Sequence, residues 1–125
     1  MQTSSNTKLK ILYLADIFRN ETDEYHALSV YELINKLADF GIIVSRQTLY
    51  EDVELLKSYG MDINTNKQAG SATLYNLASR DFSLAEIKLL INSIQDSRLI
   101  TIPKSKKLIR KLSSLTSKFQ AKQLE

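Results

Sequence analysis

Apolar residues recur every three or four positions along most of this chain, and every second position in one short stretch. From Lys8 to Arg19 they fall at Leu9, Ile11, Leu12, Ala15 and Phe18, with Leu14 and Ile17 beside them, which predicts a helix. The polar residues 1–7 before it predict a frayed end, and Asn20–Ala27, with three acids and no period, predicts a loop. A second helix opens at a capping box, Ser29 with Glu32, and its stripe is Val30, Leu33, Ile34 and Leu37. Gly41 suits the left-handed position after its end. Ser45 caps a third helix, about 45–59, with Leu49, Val53 and Leu56 inward and Gly60 as its stop. The period then changes to two. Met61, Ile63 and Thr65 alternate with Asp62, Asn64 and Asn66, and a second run, Ala72–Leu77, follows a polar tip containing Gly70. That predicts a β-hairpin over about 61–77. Ser83 with Glu86 opens another helix, striped by Leu84, Ile87, Ile91 and Ile94. Pro103 fits the first turn of a last helix, which carries Leu108, Leu112, Leu115 and Phe119 at alternating steps of four and three.

The predicted class is mainly α with a small β-hairpin (α+β). Two capped helices joined by a turn at Gly41, followed at once by a hairpin, are the order of a winged helix-turn-helix, expected over residues 1–80. Residues 81–125 are expected to form two linker or dimerisation helices. Their stripes can pack on each other, on the preceding domain, or on a second subunit. A homodimer is the favoured outcome, held by Leu84, Ile87, Ile91, Ile94, Leu108, Leu112 and Leu115.

Composition narrows the chemistry. The 125 residues, 43% hydrophobic, suffice for one domain with a core and a helical appendage. Cysteine is absent, which excludes disulfides and thiolate metal sites. The single histidine, His26, lies in a polar stretch without ligand partners, so it reads as solvated and no metal or cofactor is expected. No apolar run reaches the roughly 20 residues of a membrane span. MQTSSNTK has no hydrophobic signal region, so a cytoplasmic protein with no membrane partner is expected. The terminal Leu124-Glu125 pair fits a restriction-site remnant, which favours a piece cut from a longer protein over a natural short form. Net charge is +3, unevenly placed: residues 1–80 carry 8 basic and 10 acidic side chains, residues 81–125 carry 9 and 4. A helix-turn-helix half of slightly acidic balance must contact DNA through a few placed groups.

Those groups lie on the third helix. At 100° per residue, Gln47 and Glu51 point outward, and Arg46 and Tyr50 form a flanking row continued by Lys57. Arg holds guanine bidentately and Gln holds adenine. Ser45, Thr48 and Tyr50 suit phosphate oxygens near a helix N-terminus. Glu51 and Glu54 repel phosphate and are expected beyond the reading end. Lys67 and Gln68 at the hairpin tip, Tyr31 in the second helix, and Lys8 and Lys10 in the first are further phosphate candidates, though packing or solvation accounts for the last three more simply. Asp52 flanks the inner face and is expected to be paired, fixing the third helix on its neighbours. Lys104, Lys106, Lys107 and Arg110 either supply non-specific attraction to DNA or form a solvated helix face. No paired carboxylates, Gly-rich phosphate loop or Ser-His arrangement points to catalysis, so no enzyme is expected.

The segment SRQTLYEDVELLKSYGMDI, the hairpin end LYNL, and then RDFSLAEIKLLINSIQDSRLI and PKSKKLIRKL resemble the N-terminal part of bacterial WYL-domain transcriptional regulators. The resemblance covers residues 8 to about 120. It implies a DeoR-like winged helix-turn-helix that binds double-stranded DNA through Ser45, Arg46, Gln47, Thr48 and Tyr50. It also implies an effector-binding WYL domain after the helices, which this sequence does not contain. Many relatives have Arg where this chain has Glu51. The competing expectation, supported by the acidic balance of residues 1–80, is a protein-interaction or dimerisation module that does not read DNA.

Overall fold

Local signals set most of the helix ends. The computed structural model describes residues 4–67 and 70–125. Its elements, in order, are α1 (Ser4–Glu21), β1 (Leu28–Ser29), α2 (Val30–Asp39), α3 (Arg46–Tyr59), β2 (Ile63–Asn66), β3 (Leu74–Leu77), α4 (Leu84–Asp96), α5 (Ile102–Ser113) and α6 (Lys118–Gln123). The class is α+β, mainly helical with a small antiparallel sheet. Reciprocal capping boxes open α2 (Ser29 with Glu32) and α4 (Ser83 with Glu86), and Ser45 accepts the Thr48 N–H at the start of α3. Gly41 (φ 80°) and Gly60 (φ 125°) take the left-handed backbone that ends α2 and α3, where a side chain would be strained.

The sheet is larger than a hairpin. Its order is β1-β3-β2, all antiparallel, with Leu28 opposite Tyr75 and Ile63 opposite Leu77. The third strand, β1, is two residues long. A pair of residues has no period to read, and this one exists because β3 offers it an edge. Ser29 ends the strand and caps the next helix, and the Val30 N–H donates to the Thr73 carbonyl at 3.2 Å.

Three further expectations are corrected. The first helix starts at Ser4, about one turn earlier than predicted, because polar residues carry no periodicity to reveal a start. The stretch after it is a loop from Thr22 on, but not a wholly solvated one: Glu24, Tyr25 and Ala27 are exposed, while Thr22 and Asp23 are fully buried. Thr22 Oγ1 donates to the Phe18 carbonyl at 2.6 Å and accepts the Leu77 N–H at 3.0 Å, which ties the end of α1 to β3. Asp23 accepts from His26 Nδ1 at 2.8 Å, and its carbonyl accepts from Asn76 at 3.0 Å. His26 is half-buried and closes this turn. Finally, the last helix does not run through to Phe119. Ser113, Ser114 and Thr116 donate their hydroxyls to the carbonyls of Ile109, Lys111 and Ser113, and so compete with the helical ladder. Ser117 then caps α6 in a box with Gln120.

The chain divides into two compact units, Met1–Ser79 and Arg80–Glu125. The first has a continuous core. Leu14, Ile17 and Phe18 of α1 meet Val30, Leu33 and Leu37 of α2, Leu49, Val53 and Leu56 of α3, and Ile63, Tyr75 and Leu77 of the sheet. In the second, α4 packs on α5. Only Ile87 and Ile91 are buried apolar side chains there, few for a unit of 46 residues.

A candidate nucleic-acid interface

The inner face of α3 fixes its outer one. With Leu49, Val53 and Leu56 buried, Arg46, Gln47, Glu51 and Glu54 are exposed, and Thr48, Tyr50 and Lys57 are half-buried. Asp52 sits at the edge of the core, 5% exposed, and forms an ion pair of 3.3 Å with Lys10 of α1. Burial outweighs the attraction of Lys10 and holds this carboxyl above its ordinary value. This pair anchors α3 on α1, and Lys10 is half-buried beside it.

The first turn of α3 is tied to the first turn of α2. Arg46 Nη1 donates to the Tyr31 hydroxyl at 3.2 Å, and its guanidinium lies 6.0 Å from that ring centroid. These two residues, Tyr50, Ser71 and Thr73 border a polar hollow of about 340 Å³ at the hairpin. Fifteen positions apart in sequence, Tyr31 and Arg46 meet only in the fold. Ser71 and Thr73 carry no sequence signal for such a place. Ser45 Oγ donates to Thr48 Oγ1 at 3.1 Å, so the cap is itself braced. Gln47 Nε2 donates to Glu51 Oε1 at 3.3 Å along the exposed ridge.

Lys57 stands apart from this group. Its ammonium donates to Thr65 of β2 at 2.7 Å and lies 3.4 Å from Glu54. It is a strut between α3 and the hairpin. Lys57, Lys67, Tyr50 and Tyr75 border a second hollow of about 500 Å³. Tyr75 is buried there, and burial, with Tyr50 and Glu54 nearby, pushes its hydroxyl up to about 12, so it stays a neutral donor. Lys67 is exposed, and Gln68 lies outside the described residues.

The residues expected to dimerise divide. Ile87 and Ile91 are buried, Leu84, Ile94 and Leu112 are half-buried, and Leu108 and Leu115 are exposed at 39% and 47%. Leu89, Leu90, Leu99 and Ile102, none of them on the predicted stripes, are also exposed. Among the described residues, no group of three His, Asp or Glu side chains is placed to hold a metal ion, and no helix is long and apolar enough to cross a membrane. Comparison of the chain with protein-family models, curated proteins and solved structures finds no match.

Proposed function

We propose that this chain is the winged helix-turn-helix DNA-binding part of a bacterial transcriptional regulator. The observation that carries the proposal is the joint presentation of Arg46, Gln47, Tyr50 and Tyr31 at the N-terminal end of α3, beside a three-stranded sheet whose β2–β3 hairpin serves as the wing. Arg46 and Gln47 leave Tyr31 and Glu51 to meet base edges, while Ser45, Thr48, Tyr31, Tyr50 and Lys67 suit phosphate oxygens. Hydrogen bonds of 3.2 and 3.3 Å between exposed groups are weak enough to exchange for base contacts. Glu51 and Glu54 sit past the reading end, and Glu54 is offset by Lys57.

Assembly belongs to the same proposal. A unit with two buried aliphatic side chains and several exposed ones gains a core by pairing with a second copy. The dimer would present two α3 helices to successive major grooves about 34 Å apart. The resemblance to WYL-domain regulators assigns control to an effector domain of the kind that follows these helices in such proteins. No catalytic step belongs to the proposal.

Selection of bound sequences from random duplexes tests it. The expected result is one enriched motif in two symmetric half-sites. Recovery of unenriched sequence would refute it. The competing possibility, a dimerisation module that does not read DNA, draws on the acidic balance of residues 1–80 and on an apolar groove of about 490 Å³ between α1 and α3, with Leu12, Leu55 and Tyr59 exposed along it. In that case a second copy fills the groove and no duplex is retained in the selection.

A further inference from the structure

We propose that the outward half of α5 binds the sugar-phosphate backbone of duplex DNA, separately from the contacts of α3; the choice of duplex DNA rests on the function proposed above. The sequence of α5, IPKSKKLIRKLS, holds five cations, Lys104, Lys106, Lys107, Arg110 and Lys111, and no carboxylate. At 100° per residue these five fill one half of the helix circumference. All five are exposed, while Ser105, Ile109 and Leu112 of the other half are half-buried.

Two observations bear on this face. None of the five is in an ion pair with a described residue; single cations of the first unit, Lys8, Arg46 and Lys67, share that state, but α5 gathers five such cations on one helix face with no acid among them. The cations also begin at the wrong end of the helix. Both α2 and α4 place a glutamate in the first turn, where the helix dipole favours negative charge, while α3 and α6, like α5, have none there. Helix α5 has no acid there and carries Lys104, Lys106 and Lys107 in its first half. That arrangement is unfavourable for the isolated helix and becomes favourable beside a polyanion.

Lys104 to Lys111 span about 10 Å of helix, long enough to meet about two or three successive phosphates of one strand. An anionic membrane surface fits less well. A helix lying on a membrane inserts its apolar half, and α5 packs on α4 with Ile109 and Leu112 already half-buried.

The test uses the full chain with K104Q, K107Q and K111Q combined, all at exposed positions. Binding to a random-sequence duplex is titrated against salt, with thermal melting as a check on folding. The magnitude of the log–log salt slope is expected to fall by roughly 0.9 for each phosphate that is no longer neutralised, so by about 2 to 3. The preference for a selected duplex over a random one should stay constant. An unchanged slope overturns the proposal. So does a variant that loses binding to phosphatidylserine vesicles while keeping the parent slope on DNA. A chain without sequence preference, whose slope nevertheless falls in the variant, refutes the reading by α3 and supports the contact by α5.

Discussion

Replacing Leu49 with alanine is expected to destabilise the first unit by about 3 kcal/mol. Leu49 is fully buried at the start of α3 and packs in the core with residues of α1, α2 and the sheet. Truncation removes its transfer free energy and leaves a cavity that rigid neighbours close only in part. The position is informative because it sits between Thr48 and Tyr50 on the face opposite the proposed DNA contacts. Denaturant unfolding should show a lower midpoint with an unchanged slope in denaturant. Duplex affinity should fall only as far as the folded population falls. A loss in stability below about 0.5 kcal/mol would mean that α3 is not seated on this core.

The second large effect is expected at Lys10. Lys10→Met strands the buried Asp52 carboxylate at the edge of the core and should cost about 3 kcal/mol near neutral pH. The sign of its pH dependence follows from Asp52. In the parent, this carboxyl is already held above its ordinary 3.8, chiefly by burial. A group with a raised folded value favours the folded state when protonated, so its contribution to stability falls as pH rises from 3.8 through the folded value. Removing the cation raises that value further. The deficit of the variant should therefore shrink as pH is lowered and the stranded carboxylate takes up its proton. The double variant Lys10→Met with Asp52→Leu should recover most of the loss, because neither charge is then buried. A deficit that does not change with pH would show that Lys10 acts through packing of its stem alone.

What the sequence makes legible is what depends on near neighbours. Ser29 with Glu32, Ser45, Ser83 with Glu86, Gly41 and Gly60 announce helix ends because a cap is completed within three or four residues. Leu49, Val53 and Leu56 announce the buried face of α3 because the helical period fixes it. The break between α5 and α6 is signalled in the same way, since Ser117 and Gln120 have capping-box spacing, but the continuing rhythm of Leu112, Leu115 and Phe119 masks it. Long-range partners are a different matter. Leu28 and Ser29 become a strand only because β3 lies beside them, and Thr22 becomes a buried link only because the Leu77 N–H reaches it. Asp52 is recognisable as a group that needs a partner, yet nothing local names Lys10. The candidate interface follows the same rule. Arg46, Gln47 and Tyr50 come from one helix and are visible together, whereas the meeting of Arg46 with Tyr31 and the pinning of Lys57 by Thr65 need the assembled fold.

Reading of DNA sequence by the first turn of α3 is checked by comparing parent, Arg46→Ala and Gln47→Ala chains on a selected duplex and on a random one. Each substitution is expected to weaken the selected complex by roughly 1–3 kcal/mol and to leave the random complex nearly unchanged. Equal losses on the two duplexes, or none on either, would contradict it.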